Sequence, residues 1–157
     1  MAIRDKTPFK PDEVYFITFT ILDWERLFID DTSCGLVFKW FSYMEKNYGN
    51  KIHGYVIMPN HIHILLYISL TSPRLSTLIF NAKRFLAYEL KCLFEPRYDS
   101  LIIQSRNFFL EKLNYIHDNP CQEHWRLVEK PEDYRYSSAS NYILEKGVYP
   151  VDLLDFD

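Results

Sequence analysis

The sequence predicts an α+β protein of the ferredoxin-like type, a βαββαβ antiparallel sheet with an extra C-terminal helix. Three observations lead there. Segments rich in β-branched and aromatic residues interleave with amphipathic stretches in the order strand, helix, strand, strand, helix, strand, helix. The two middle strands are joined by Pro59-Asn60 alone, close enough to form a hairpin. The second of them has one wholly aliphatic face, Ile62, Ile64, Leu66 and Ile68, which suits a sheet covered by two helices on that side.

"EVYFITFTI" (13 to 21) reads as the first strand. Asp31 or Thr32 can cap a helix that runs through "CGLVFKWFSYMEKNY" and stops at Gly49. The hairpin follows in "HGYVIMPNHIHILLYIS" (53 to 69). Ser72 before Pro73 marks a second helix start, and "PRLSTLIFNAKRFLAYELKCLF" keeps a stripe at Leu75, Leu78, Ile79, Leu86 and Leu90. "YDSLIIQ" (98 to 104) is a short fourth strand, and Ser105 can cap the extra helix "RNFFLEKLNYIHDN", which ends at Pro120. Beyond it, "PEDYRYSSASNYI" suggests a turn and a short helix, and "VYPVDLLDFD" an acidic tail.

At 157 residues the chain suits one domain, 1 to 157, with a buried core. "MAIRDKTPFKPDEVYF" lacks the pattern of a signal peptide and no apolar run reaches membrane-spanning length, so the expected location is the cytoplasm, with no membrane partner. Cys34, Cys92 and Cys121 are odd in number and widely spaced, which fits reduced thiols. His117, Cys121 and His124 have no fourth ligand at a zinc spacing. The net charge of -3 gives no support to a nucleic-acid partner. Its distribution is less discouraging: residues 72 to 112 hold seven basic against four acidic side chains, while 118 to the end hold four against nine.

The feature that asks for an explanation is the start of the third strand. His61 and His63 share the face opposite the aliphatic one. Two imidazoles at i and i+2 can chelate one cation, or they can be two unrelated core residues. A third ligand has to come from elsewhere, since the next residue on that face is Leu65. The last helix offers one. Tyr115 and Asn119, four apart, lie on one helical face, beside an apolar stripe of Phe109, Leu113 and Ile116 for docking. Laid across the open face of the sheet, that helix would bring a phenol and an amide to the imidazoles. Asn119 precedes proline, however, and such a residue tends to leave the α region, so it can also be simply a helix end.

"HGYVIMPNHIHILL" and "LEKLNYIHDNP" together resemble the single-tyrosine HUH transposases, in particular the REP-associated tyrosine transposases. "TFTILDWERLFIDD" is similar to that family's first strand and following loop, and "KPEDYRYSS" to its "PxDYxWSS" segment, with Tyr136 in place of the tryptophan. The segment before "YDSLIIQ" is short beside many relatives. The resemblance implies that His61, His63 and Asn119 hold one divalent cation and that Tyr115 is the nucleophile. It implies cleavage of single-stranded DNA near a hairpin, forming a 5′-phosphotyrosine and freeing a 3′-hydroxyl that can later rejoin strands. Magnesium is the first expectation and manganese the second, although two imidazoles suit manganese or zinc better on ligand preference. Lys112 or His117 is near enough to help deprotonate the phenol.

For DNA contacts the sequence offers Lys83, Arg84, Lys91 and Arg106, with aromatics that can stack on unpaired bases. The expected partner is single-stranded DNA with a palindromic hairpin, which would place the protein at the nucleoid when bound. The protein would act as a monomer, or as a homodimer in which a neighbour's tyrosine completes the site. Two other functions fit the same residues: a hairpin-binding protein that no longer cuts, and a metal-dependent phosphoesterase that uses water.

Overall fold

A computed structural model describes residues 8–154. The start of the N-terminal stretch and the end of the acidic tail lie outside them. Four strands, β1 (Glu13–Thr20), β2 (Lys51–Met58), β3 (His61–Ile68) and β4 (Asp99–Ile103), form one sheet in the order β2-β3-β1-β4. All neighbours are antiparallel. With α1 (Asp31–Tyr48) and α2 (Leu75–Leu90) as the crossovers, this is the split βαβ arrangement that the element order predicts.

The two faces of the sheet bury different things. Tyr15, Ile17 and Phe19 of β1 and Ile62, Ile64, Leu66 and Ile68 of β3 pack with Val37, Phe41 and Met44 of α1 and Leu78 and Ile79 of α2. On the other face Phe16, Val56, Met58 and Leu65 pack against Phe109, Leu113 and Ile116 of α3 (Arg106–Asp118), the extra helix. The period-2 alternation of β3 therefore separates its aliphatic side chains from its histidines, as the sequence suggests.

Local signals are mostly obeyed. Ser105 caps α3, its hydroxyl accepting from Phe108 N at 3.1 Å. Gly49 ends α1 at φ 70°, a left-handed conformation that costs glycine little. The α1 cap is Asp30 rather than Asp31 or Thr32: its carboxylate accepts from Ser33 N while Ser33 Oγ accepts from Asp30 N. Asp31 is instead occupied by Arg135 at 2.8 Å and by the Tyr136 hydroxyl at 2.8 Å. Helix α2 begins two residues after Pro73, with Arg74 as an N-cap that makes no side-chain bond, because Ser72 Oγ is taken up by Pro73 O and Asn50 Nδ2. It stops at Leu90, where Lys91 turns left-handed at φ 53°.

The tail does more than its composition suggests. A 3₁₀ turn at Pro131–Asp133 and α4 (Ala139–Ile143) match the expected turn and short helix. Between them the chain runs along the outer edge of β2, with Ile57 N donating to Tyr136 O at 2.8 Å and Ser138 N to Tyr55 O at 2.9 Å. Asp152 N donates to Ile52 O further along. An edge that would otherwise be open for pairing is covered.

Candidate active site

Helix α3 lies across the histidine face because β2 makes room for it. Gly54 has no side chain, and a Cβ there would stand 2.7 Å from Leu113 Cδ1. The docked helix turns Tyr115 toward β3: its ring centroid is 5.3 Å from that of His63, and His63 is 4.7 Å from His61. Phe16 stacks on His63 at 5.5 Å and meets the edge of Tyr115 at 6.1 Å, fixing both rings from β1. These groups border one open cleft of about 720 Å³, together with Asn119 and Lys112.

The histidines are held as ligands need to be held. His61 Nδ1 is 2.7 Å from Asn60 Oδ1, an oxygen that only accepts, so Nδ1 carries the proton and Nε2 keeps its lone pair. His63 Nδ1 is 2.6 Å from Thr18 Oγ1, which in the matching tautomer leaves its Nε2 equally free. Thr18 sits directly opposite His63 in the β1 to β3 register, and Thr20 opposite His61. Burial, helped by His124, lowers the His61 imidazole to about 4. Burial also lowers His63 well below the ordinary value, with His61 and Lys112 adding to the effect. Both rings are neutral at neutral pH, the form that binds a metal.

Asn119 supplies the third group. The steric preference before proline is overridden: Asn119 keeps αR geometry at φ -54° and ψ -46°, and the chain continues into a 3₁₀ turn, Asn119–Cys121. Its Oδ1 is buried and has no hydrogen-bond partner among the described residues. A buried, unpaired amide oxygen is costly unless something binds it. Two neutral imidazoles with free Nε2 atoms and an orphaned amide oxygen on one cleft fit a divalent cation, with room for oxygen ligands from a substrate phosphate and water.

Tyr115 is 46% exposed, so its hydroxyl is open to a substrate. The Lys112 ammonium stands 5.7 Å from the Tyr115 ring centroid and 5.2 Å from that of Phe16, a cation held over aromatic faces. His117 points the other way, with Nε2 2.8 Å from Ser138 Oγ, away from the phenol. Of the two candidates near Tyr115, only Lys112 borders the cleft. Among the described residues no three His, Cys, Asp or Glu side chains gather at a metal-binding spacing, so His117, Cys121 and His124 do not form a centre.

The four basic residues named from the sequence do not border this cleft. Lys83 donates to Glu95 O at 2.7 Å and Arg97 O at 3.2 Å, bracing the loop before β4. Arg84 and Lys91 are exposed on α2 and at its end, on the helical side of the sheet, and Arg106 is exposed at the start of α3. Sequence reading passed over Thr18, Asn60, Trp24 and Trp125, which either hold the histidines or border the cleft. The signal for Thr18 was present: it is a polar residue on the strand face shared with Phe16.

No family model and no curated protein matches the chain. Among solved structures, the chain is similar to the REP-associated tyrosine transposase bound to a REP hairpin. The TM-score is 0.73 at 19% identity, covering 98% of this chain and 94% of that one. It is also similar to a Deinococcus radiodurans R1 protein provisionally described as a transposase, with a TM-score of 0.51 at 15% identity, covering 74% of this chain and 97% of the other. The fold of the present chain is the fold of these proteins.

Proposed function

We propose that this chain is a single-tyrosine HUH transposase of the REP-associated type, which cuts and rejoins single-stranded DNA beside a hairpin. The observation that carries this is the meeting in one cleft of Tyr115, His61 and His63, with the unpartnered Asn119 oxygen at its border. The fold shared with a transposase bound to a REP hairpin supports the choice of substrate.

Tyr115 Oη attacks the phosphorus in line with the 3′ oxygen. A phosphorus-oxygen bond forms to the phenol, the bond between phosphorus and the 3′ oxygen breaks, and the phenolic proton passes through solvent to the released 3′ oxygen, making the 3′-hydroxyl. Attack by a 3′-hydroxyl on the phosphotyrosine reverses the exchange, so no nucleotide cofactor is consumed. Lys112 holds a positive charge 5.7 Å from the centre of the Tyr115 ring, which favours the phenolate over the phenol. Phe16 and the buried stripe of α3 keep the phenol against His63, which lowers the entropic part of the barrier. A divalent cation held by His61, His63 and Asn119, magnesium first and manganese second, would polarise a non-bridging phosphate oxygen. Such a protein acts at the nucleoid, and one chain carries all four groups.

The test is to incubate the protein and magnesium with single-stranded oligonucleotides that cover hairpins flanking its own gene. A denaturant-resistant protein-DNA adduct, absent with Tyr115→Phe and with chelator, is the expected outcome. Cleavage without an adduct, unchanged in Tyr115→Phe, would point to a water-using phosphoesterase. Binding with no cleavage would point to a hairpin binder.

A further inference from the structure

One wall of the cleft is made by a large, exposed aromatic side chain. Trp24 borders the cleft and is 65% exposed. Its backbone is left-handed at φ 57°, directly after Asp23, also at φ 57°. Aspartate tolerates that region, but for a bulky residue it is an outlier that only an over-determined structure maintains. The constraint is visible at both ends of the loop. Leu22 N donates to Leu93 O at 2.8 Å, and Leu27 N and Phe28 N both donate to Pro59 O, at 2.9 and 3.0 Å. Pro59 belongs to the turn that delivers His61, so the loop bearing Trp24 is fastened to the histidine strand itself.

The same loop also reaches Trp125, beyond the end of α3 and on the same cleft. The Arg26 guanidinium lies 4.9 Å above the Trp125 ring, whose centroid is 6.0 Å from that of His61. Trp125 is thus held by partners, while the exposed Trp24 indole is left open. An exposed, rigidly presented indole in the cleft that also holds the Lys112 ammonium and the histidine pair suits a planar ligand joined to phosphates.

We propose that Trp24 is a stacking platform for one unpaired nucleobase of single-stranded DNA, next to the phosphate engaged at the histidine pair, with Trp125 bordering the same cleft. This deepens the nuclease reading above and rests on it for the identity of the strand. Stacking on an aromatic face tolerates any base, so the subsite would select for a base being unpaired rather than for its sequence.

The experiment measures binding in the Tyr115→Phe background, where no adduct forms, by fluorescence anisotropy. The probe is a labelled hairpin oligonucleotide with a single-stranded flank of about eight randomised nucleotides, a length within the footprint of such sites. A second probe carries abasic residues throughout the flank. Trp24→Ala is expected to weaken binding of the first probe roughly tenfold, the effect of losing one stacked base, and Trp24→Phe less than about threefold. On the abasic probe all three proteins should bind alike. Equal affinity of Trp24→Ala and its parent for the first probe, or an equal loss on both probes, overturns the proposal. Adduct formation by the otherwise native chain, run in parallel, separates the two ideas. An adduct with a Trp24-insensitive flank removes the stacking site alone. Trp24-dependent, base-dependent binding without any adduct keeps the stacking site and removes the nuclease.

Discussion

At the scale of single residues, the candidate site depends on two hydrogen bonds that touch no substrate. Thr18 Oγ1 and Asn60 Oδ1 each fix an imidazole by its Nδ1 and so leave Nε2 free to face the cleft. Thr18→Val keeps the shape and removes the partner. We expect it to weaken manganese binding, measured by titration calorimetry, by about 10- to 100-fold, with Thr18→Ser close to the parent. Thr18→Val also leaves the buried His63 Nδ1 unpaired and should cost about 1 to 3 kcal/mol in urea unfolding, whereas Thr18→Ser should change stability little. The histidine pair was legible in the sequence because strand alternation alone puts both on one face. Thr18 was not singled out, because its role follows from the register that sets it opposite His63, and a register joins residues 45 positions apart.

At the scale of elements, the decisive contact is α3 on β2. Gly54 and Leu113 are in such close approach that a side chain at 54 must push the helix away or reorient the leucine. Gly54→Val should cost about 1 to 3 kcal/mol in urea unfolding and should reduce adduct formation more than that loss explains, since Tyr115 rides on the displaced helix. Pairing it with Leu113→Ala should recover part of the loss, a non-additivity that a double-mutant cycle measures. Additive losses would mean the two positions do not press on each other. The existence of α1 was legible from its stop at Gly49, that of α2 from its apolar stripe and that of α3 from Ser105 and its stripe, whereas the caps of α1 and α2 fall on Asp30 and Arg74 instead. The strand-like run of 134 to 138 beside β2 was not legible, because its backbone bonds to β2 join residues about 80 positions apart and leave no local pattern. Asn119 also escaped a local rule: the αR geometry is held by the tertiary position of the 3₁₀ turn, and that geometry is what leaves its amide oxygen buried and unpaired.

At the scale of the whole molecule, burial of neutral histidines links stability to pH. Burial lowers His61 and His117 to about 4, and lowers His53 and His63 as well. A folded-state value below the unfolded one, about 6.5, means the folded protein binds fewer protons in that interval. Stability is therefore full above about pH 6.5 and is lost as pH falls towards 4, by several kcal/mol for the set. His117→Gln should flatten the dependence between those limits in urea unfolding at a series of pH values. An unchanged slope would show that His117 charges in the folded state. The fold also carries the tyrosine and the histidine pair in one chain, which bears on assembly. A mixture of Tyr115→Phe with a His61→Ala, His63→Ala double variant should form no adduct, whereas recovered adduct would mean that chains exchange their tyrosines.

The most direct single measurement is mass spectrometry of the peptide that carries DNA after reaction with magnesium and a hairpin oligonucleotide, nuclease trimming and proteolysis. The account predicts one nucleotide-bearing peptide, with the 5′-phosphate on Tyr115. Cleaved DNA with no linked peptide, or a linkage at any other residue, would contradict it.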